Sequence, residues 1–320
     1  MEGENQSAIS KFILLGLSDQ PEQQRLLFFL FFLMYLVTGL GNLLIILAIS
    51  SDPRLHTPMY FFLSNLSLVD ICFTSTTIPK MLNNHITKNR MIPYAWCLTQ
   101  VFFNIWFAGI DSILLAVMAY DRYVAICAPL HYSTIMTPRV CALLVLVSWF
   151  GAYTNSLTHT ILLTRLSFCG HNEIPHFFCD LSPLLKLACS DTYINDLMVY
   201  TVGAPTVFLP FIGILISYAY IFMAVMKISS VSGKQKVFST CGSHLTVVCL
   251  FYGTIIGVYF SPTSTHTAQK DTAATVMYTV VTPMLNPFIY SLRNKDMKGA
   301  LRILITRKQG FNIRNFPEIS

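Results

Sequence analysis

Long apolar runs separated by short polar connections set the pattern of the chain. They extend from Leu26 to Ile49, from Leu55 to Pro79 with Asp70 as the one charged interruption, and from Cys97 to Tyr120 with Asp111 as the one interruption. Four more follow: Val140 to Thr164, Leu197 to Met226, Val237 to about Phe260, and Thr272 to Leu292. Each exceeds the roughly 18 residues that a helix needs to cross a bilayer. The pattern predicts an all-α membrane protein, a seven-transmembrane helix bundle with its termini on opposite sides. Its expected divisions are an extracellular tail over 1–25, a seven-span membrane domain over 26–292 and a cytoplasmic segment over 293–320. In that last segment Met297, Leu301, Leu304 and Ile305 recur at helical spacing opposite Lys295, Lys298 and Arg302. That spacing predicts a short amphipathic helix lying on the inner leaflet, with membrane lipid as its partner.

Composition excludes a soluble reading. Of 320 residues 54% are hydrophobic and only 11% charged, against about 25% charged in soluble domains. There is no internal repeat, and no nucleic-acid partner is expected. Basic residues give the sidedness, because Lys and Arg stay cytoplasmic. With the N-terminus outside, the inner segments hold Arg54, Arg122, Arg139, Lys227, Lys234, Lys236 and seven more after position 292, thirteen of the 21. Met1 to Arg25 is polar and lacks the apolar core of a cleavable signal, so the first span is expected to direct insertion. Asn5-Gln6-Ser7 is then an accessible glycosylation sequon, whereas the match at Asn65 falls inside the second span and is rejected.

Cysteines divide in the same way. Cys97, Cys169, Cys179 and Cys189 fall on the outer, oxidising side, where bridges persist, and four cysteines allow three pairings. Cys72, Cys141 and Cys249 lie within spans and are expected to be buried small apolar residues. No Cys or His spacing suits a structural zinc.

Charge inside the apolar runs carries the chemistry. An ionisable residue in a span is expensive and faces the bundle interior, so Asp70 and Asp111 are functional candidates. Asn104, Asp111 and Arg122 are seven and eleven residues apart, which brings them to within roughly 20° of one helix face, about 10 and 16 Å apart along the axis. The third span therefore carries an inward polar stripe that ends on Asp121 and Arg122 at the cytoplasmic edge. Gly41-Asn42, Asn286 to Tyr290, Pro205, Pro210 and Pro283 weaken backbone hydrogen bonding inside spans and mark places where helices can bend. Two buried acids also admit an intramembrane aspartyl protease, and membrane acids mark transporters. Neither protease motif is complete around "LVD" and "AGID", and the paired repeats of transporters are not seen.

Five segments resemble the signatures of vertebrate odorant receptors, which are rhodopsin-like G-protein-coupled receptors. They are "LHTPMYFFLSNLSLVD" from Leu55, "MAYDRYVAIC" from Met118, "SY" at Ser217-Tyr218, "KVFSTCGSHLTVV" from Lys236 and "PMLNPFIYSLRNKDMKGAL" from Pro283. The resemblance implies a plasma-membrane receptor, not an enzyme, that binds small, mostly neutral volatile molecules and activates a stimulatory G-protein to raise cAMP. The same receptor class could instead sense a metabolite in non-olfactory tissue.

The resemblance also implies roles for single residues. Arg122 meets the G-protein when active and is restrained by the neighbouring Asp121; Tyr123 completes that motif. Tyr218 and Tyr290 swing toward the arginine on activation, Asn286 and Pro287 form the bendable segment of the seventh span, and Ser239, Thr240 and His244 replace the acidic lock of other receptors. Cys97 is expected to bridge to Cys179, leaving Cys169 with Cys189. By position the ligand pocket is lined by Asn104, Ile105, Ala108, Gly109, Ser112, Val202, Thr206, Ile255, Ile256, Tyr259 and Thr279. No lysine in the seventh span is available for a Schiff base, and Asn104 stands where amine receptors carry an acid, so no fixed charge awaits the ligand. No cofactor is expected beyond a sodium ion between Asp70 and Asp111, where the alternative is a shared proton.

Overall fold

The computed structural model describes residues 10–18, 20–170, 172–227, 230–259, 268–294 and 296–304, without the side chains of 231–233, 236, 238–240, 256–259, 268–271, 292 and 293. The first five long helices are Pro21–Ser51, Pro58–Thr87, Tyr94–Cys127, Pro138–Leu163 and Tyr193–Met226, each long and apolar enough to cross a membrane. The sixth is Val231–Tyr259, with an apolar stretch at Cys241–Ile255. The seventh is built from Ala268–Val276, Met277–Val281 and Thr282–Arg293. Every predicted apolar run lies along one of these helices, and the fold is an all-α seven-helix bundle.

Local chemistry sets several helix starts. Pro21, Pro58 and Pro138 occupy first turns, where a missing N–H costs no intrahelical bond. Thr137 also caps the fourth helix, its hydroxyl accepting the Val140 N–H at 3.3 Å. The third helix packs against the second, fourth and fifth at once and is the most buried element, as its polar stripe predicts.

Two helices contain a π-helical turn, Val199–Gly203 in the fifth and Met277–Val281 in the seventh. In each, the N–H just beyond the turn reaches five residues back, Ala204 to Val199 and Thr282 to Met277. Pro205 and Pro283 follow at once, and a proline cannot supply the N–H that would continue the ordinary four-residue ladder.

The capped end differs from the expectation of a plain polar tail over 1–25. Residues Lys11–Leu14 form strand β1, which lies between β2 (Met91–Pro93, antiparallel) and β3 (Glu173–Ile174, parallel). Alternation explains it: Phe12 and Leu14 point to one side of the strand and are buried with Cys97 and Cys179. Four residues are too short a run to register as a strand in the sequence alone.

Cys249 corrects a second expectation. It is exposed on the outer surface of the sixth helix, while Cys141 is buried and Cys72 half-buried. An apolar thiol is stable against lipid as well as against protein. Beyond the seventh helix, residues 296–304 are helical, with Met297 and Ala300 buried against the bundle and Lys298 and Arg302 exposed. Asn294 caps this helix by accepting the N–H groups of Asp296 (2.9 Å) and Met297 (3.2 Å). Its amide also donates to the Tyr60 hydroxyl at 2.6 Å, tying the turn to the second helix.

Candidate functional site

At the capped end two bonds close the structure, Cys97–Cys179 and Cys169–Cys189, the pairs that the resemblance implies. Gln100 sits beneath the first. Its Nε2 donates to the Thr76 carbonyl (2.8 Å) and its Oε1 accepts the Cys179 N–H (2.9 Å). Asn104 accepts the Thr76 hydroxyl at 2.6 Å and donates to the Cys179 carbonyl at 3.5 Å. One turn of the third helix thus holds both the second helix and the cap. Asp180, just after the bridge, caps Leu181–Leu187 through the Leu181 N–H, and burial pushes its carboxyl above the ordinary carboxylate range.

The predicted pocket residues divide between two environments. Ile105 packs with the cluster under the cap, beside Asn104. Gly109, Ser112 and Thr206 meet deeper in the bundle. A Cβ on Gly109 would stand 3.0 Å from the Ala152 Cβ and 3.7 Å from the Thr206 methyl, so the missing side chain lets the third, fourth and fifth helices close together. Ser112 Oγ donates to the Thr206 carbonyl at 3.2 Å and lies 2.8 Å from the Tyr252 hydroxyl. Tyr252 is buried, and its ring is 4.7 Å from that of Phe211. Ala108 and Ile255 are half-buried against the main core. Val202 and Thr279 lie on the two π-helical turns, and Thr279 uses its hydroxyl on the Thr275 carbonyl of its own helix. The side chains of Ile256 and Tyr259 lie outside the described residues. Tyr252, Gln100 and Thr76 were not anticipated; a tyrosine or glutamine within an apolar run was the available signal.

The centre of the bundle collects buried polar groups from four helices. Asp70, Asp111, Asn42, Asn286 and Tyr290 are all nearly inaccessible. Asn286 Nδ2 donates to Asp70 Oδ2 at 2.8 Å. Asn42 Nδ2 donates to the Pro283 carbonyl at 3.1 Å. That carbonyl lies four residues before Pro287, which has no N–H to offer it, so the first helix supplies the donor that the seventh lacks. Gly41 permits the approach, since a Cβ there would stand 3.0 Å from the Pro287 ring.

Four oxygens at this centre, Asn42 Oδ1, Asp111 Oδ1, Asn286 Oδ1 and the Tyr290 hydroxyl, are buried without a hydrogen-bond partner among the described residues. Two carboxyl groups and two amide oxygens are the donors that these helices bring to the centre of the bundle. Such a set fits a hard cation, and burial of uncompensated acids is otherwise strongly unfavourable.

At the opposite end Asp121 is fully buried and Arg122 is partly exposed. Arg122 donates to Asp121 Oδ2 through Nη2 (2.6 Å) and Nε (3.1 Å), and the Tyr132 hydroxyl donates to Oδ1 at 2.7 Å. One carboxylate therefore holds the arginine and the following loop together. Tyr123 packs beside them, its ring 5.7 Å from that of Tyr220 on the fifth helix.

About two turns above, His244 is fully buried, with Nε2 3.0 Å from the Leu115 carbonyl and Nδ1 2.8 Å from the Tyr218 hydroxyl. A carbonyl only accepts, so Nε2 carries the proton and Nδ1 of the neutral ring accepts from Tyr218. His244 thereby joins the third, fifth and sixth helices. The side chains of Ser239 and Thr240 lie outside the described residues, as does Asn5.

Comparison with known proteins agrees with this arrangement. The family model described as olfactory receptor matches residues 31–308. Olfactory receptor 1f45 of Rattus norvegicus is 62% identical over 308 residues, covering 96% of this chain and 98% of the relative. Olfactory receptor 1M1 of Mus musculus is 60% identical, with the same coverage of each chain. Olfactory receptor 7D4 of Homo sapiens is 61% identical over 96% of this chain and 98% of its own. Among solved structures, squid rhodopsin superposes with a TM-score of 0.71 at 16% identity, over 93% of this chain and 89% of that one, a likeness of fold.

Proposed function

The chain belongs to the olfactory receptor family, and from that premise we propose that it binds small, mostly neutral volatile molecules within the bundle and activates a stimulatory G-protein that raises cAMP. It is a multi-pass membrane receptor and not an enzyme. In the proposed orientation the N-terminus is extracellular, with Asn5 glycosylated, and the Arg122 end is cytoplasmic.

One observation carries the reading. The sixth helix is pinned to the third at two points, Tyr252 to Ser112 and His244 to the Leu115 carbonyl. Ser112 and Leu115 are successive positions on one face of the third helix, a single turn apart. A ligand hydroxyl or carbonyl that takes over the Ser112 and Tyr252 groups removes the upper pin directly. The lower pin is then the remaining one between the sixth and third helices, and its release frees Tyr218 and opens the bundle around Arg122. Binding of this kind biases a two-state equilibrium only by the difference in affinity for the two states. The pocket residues that the resemblance implies nearby, Ala108, Gly109, Val202 and Ile255, are small or apolar and suit a neutral molecule oriented by one or two hydrogen bonds.

We also propose that Asp70 and Asp111, with the amide oxygens of Asn42 and Asn286, hold a sodium ion in the resting receptor. The ion would supply positive charge that lets both acids remain ionised. Asn286 orients Asp70, and Asn42 holds the seventh helix in the position from which Asn286 reaches it.

A cAMP reporter screen of the surface-expressed chain against a diverse panel of volatile compounds tests the first proposal. At least one neutral compound should raise cAMP in a dose-dependent way, and Ser112→Ala should reduce its potency. Responses confined to involatile charged metabolites would contradict it.

A further inference from the structure

Outside the predicted pocket, the second and third helices part near the capped end to form a cleft of about 710 Å³. Its lining includes none of the pocket residues given above. Aromatic side chains of the third helix, Trp96, Phe103 and Phe107, form one wall, and Cys72, Pro79 and Lys80 belong to the other. Trp96 is 68% exposed, so the cleft opens sideways from the bundle, beside the outer ends of the second and third apolar runs.

Lys80 is the one charged residue in this lining. Its Nζ donates to the Met91 carbonyl at 2.9 Å, and among the described residues it forms no ion pair. An ammonium has three N–H groups, so two remain for another acceptor. Lys80 stands just beyond the outer end of the second apolar run, where a long cationic side chain beside an apolar wall either reaches for water or holds an anion.

We propose that this cleft is a lateral binding site for a monocarboxylate amphiphile, with the carboxylate on Lys80 and the alkyl chain along the aromatic wall toward Cys72. The inference goes beyond the odorant reading and does not depend on it. Charge selects the head: a carboxylate forms charge-assisted hydrogen bonds with the ammonium, whereas an alcohol leaves its charge uncompensated. Length selects the tail: Lys80 and Cys72 are eight residues apart on one helix, about 12 Å, which matches a medium-length chain. The floor gives the site a route to the interior. Thr76 and Gln100 line the cleft and are the residues that hold Asn104 and the Cys179 N–H.

The test uses the full-length receptor in phosphatidylcholine nanodiscs and a decanoic acid carrying a photoreactive diazirine at its far end. Labelling should map to the peptides containing Cys72, Phe103 and Phe107 and be competed by decanoate but not by decanol. Lys80→Met should weaken labelling about tenfold, the loss of one charge-assisted contact, and Lys80→Arg should retain it. Thr99→Trp, which fills the cleft from an exposed position and leaves Lys80 in place, should block labelling even if Lys80→Met does not fold. Equal competition by decanol, unchanged labelling of a folded Lys80→Met, or labels elsewhere would overturn the proposal. So would labelling displaced by phosphatidylglycerol in the disc but not by decanoate, which would assign the cleft to a lipid headgroup.

Discussion

Asn42 illustrates how a single side chain can make a broken helix tolerable. Pro287 removes the donor for the Pro283 carbonyl, and Asn42 replaces it from the neighbouring helix at 3.1 Å. Asn42→Ala should leave a buried carbonyl unsatisfied, a loss of about 1–3 kcal/mol. Thermal unfolding of the purified receptor should show a lowered midpoint, and an unchanged one would mean that the carbonyl finds another partner. The two acids make a separate prediction. If sodium stabilises the resting state, raising it at fixed ionic strength should lower basal signalling and agonist potency, and Asp111→Asn should blunt both effects. Basal activity and potency that ignore replacement of sodium by a bulky organic cation would leave a shared proton as the better account. Asp70 and Asp111 were legible in the sequence because a charge in an apolar run stands out. Tyr252 was not, because one tyrosine among 15 carries no mark of what it faces until the helices are packed.

The long helices were legible because the bilayer demands long apolar runs, and the structure follows those runs closely. Short elements obey weaker local rules. The π-helical turns of the fifth and seventh helices depend on where Pro205 and Pro283 break the ladder, and proline alone predicts a bend without saying which kind. Strand β1 depends on partners 80 and 160 residues away in the chain, roughly the separations of Ile13 from Met91 and from Glu173. Its role can be tested at Ile13, whose N–H donates to the Asn172 carbonyl at 2.8 Å. A proline in a central strand removes that donor, so Ile13→Pro should reduce surface delivery severely, whereas Ile13→Val, which keeps the ladder, should not. Surface immunostaining of intact cells reads the difference; equal delivery of both variants would make the strand dispensable to the cap.

At the scale of the whole molecule the third helix acts as the common support. Its outer turn holds the cap through Gln100 and Asn104, its middle meets the sixth helix at Ser112 and Leu115, and its inner end presents Asp121 and Arg122. Of the polar stripe read from spacing, Asn104 and Asp111 are buried, Arg122 pairs with Asp121, and Asn104 bonds to Thr76 and the cap. The proposed coupling between the ends would run through this helix, which is held at each level by a different neighbour. The most direct test of the account is agonist-evoked cAMP in cells lacking the stimulatory Gα subunit, with and without its re-expression, for the wild-type chain and for Arg122→Ala at equal surface density. The account predicts a wild-type response only when Gα is restored, and none from Arg122→Ala in either condition. A wild-type response that persists without the stimulatory subunit, or an undiminished one from Arg122→Ala, would contradict it.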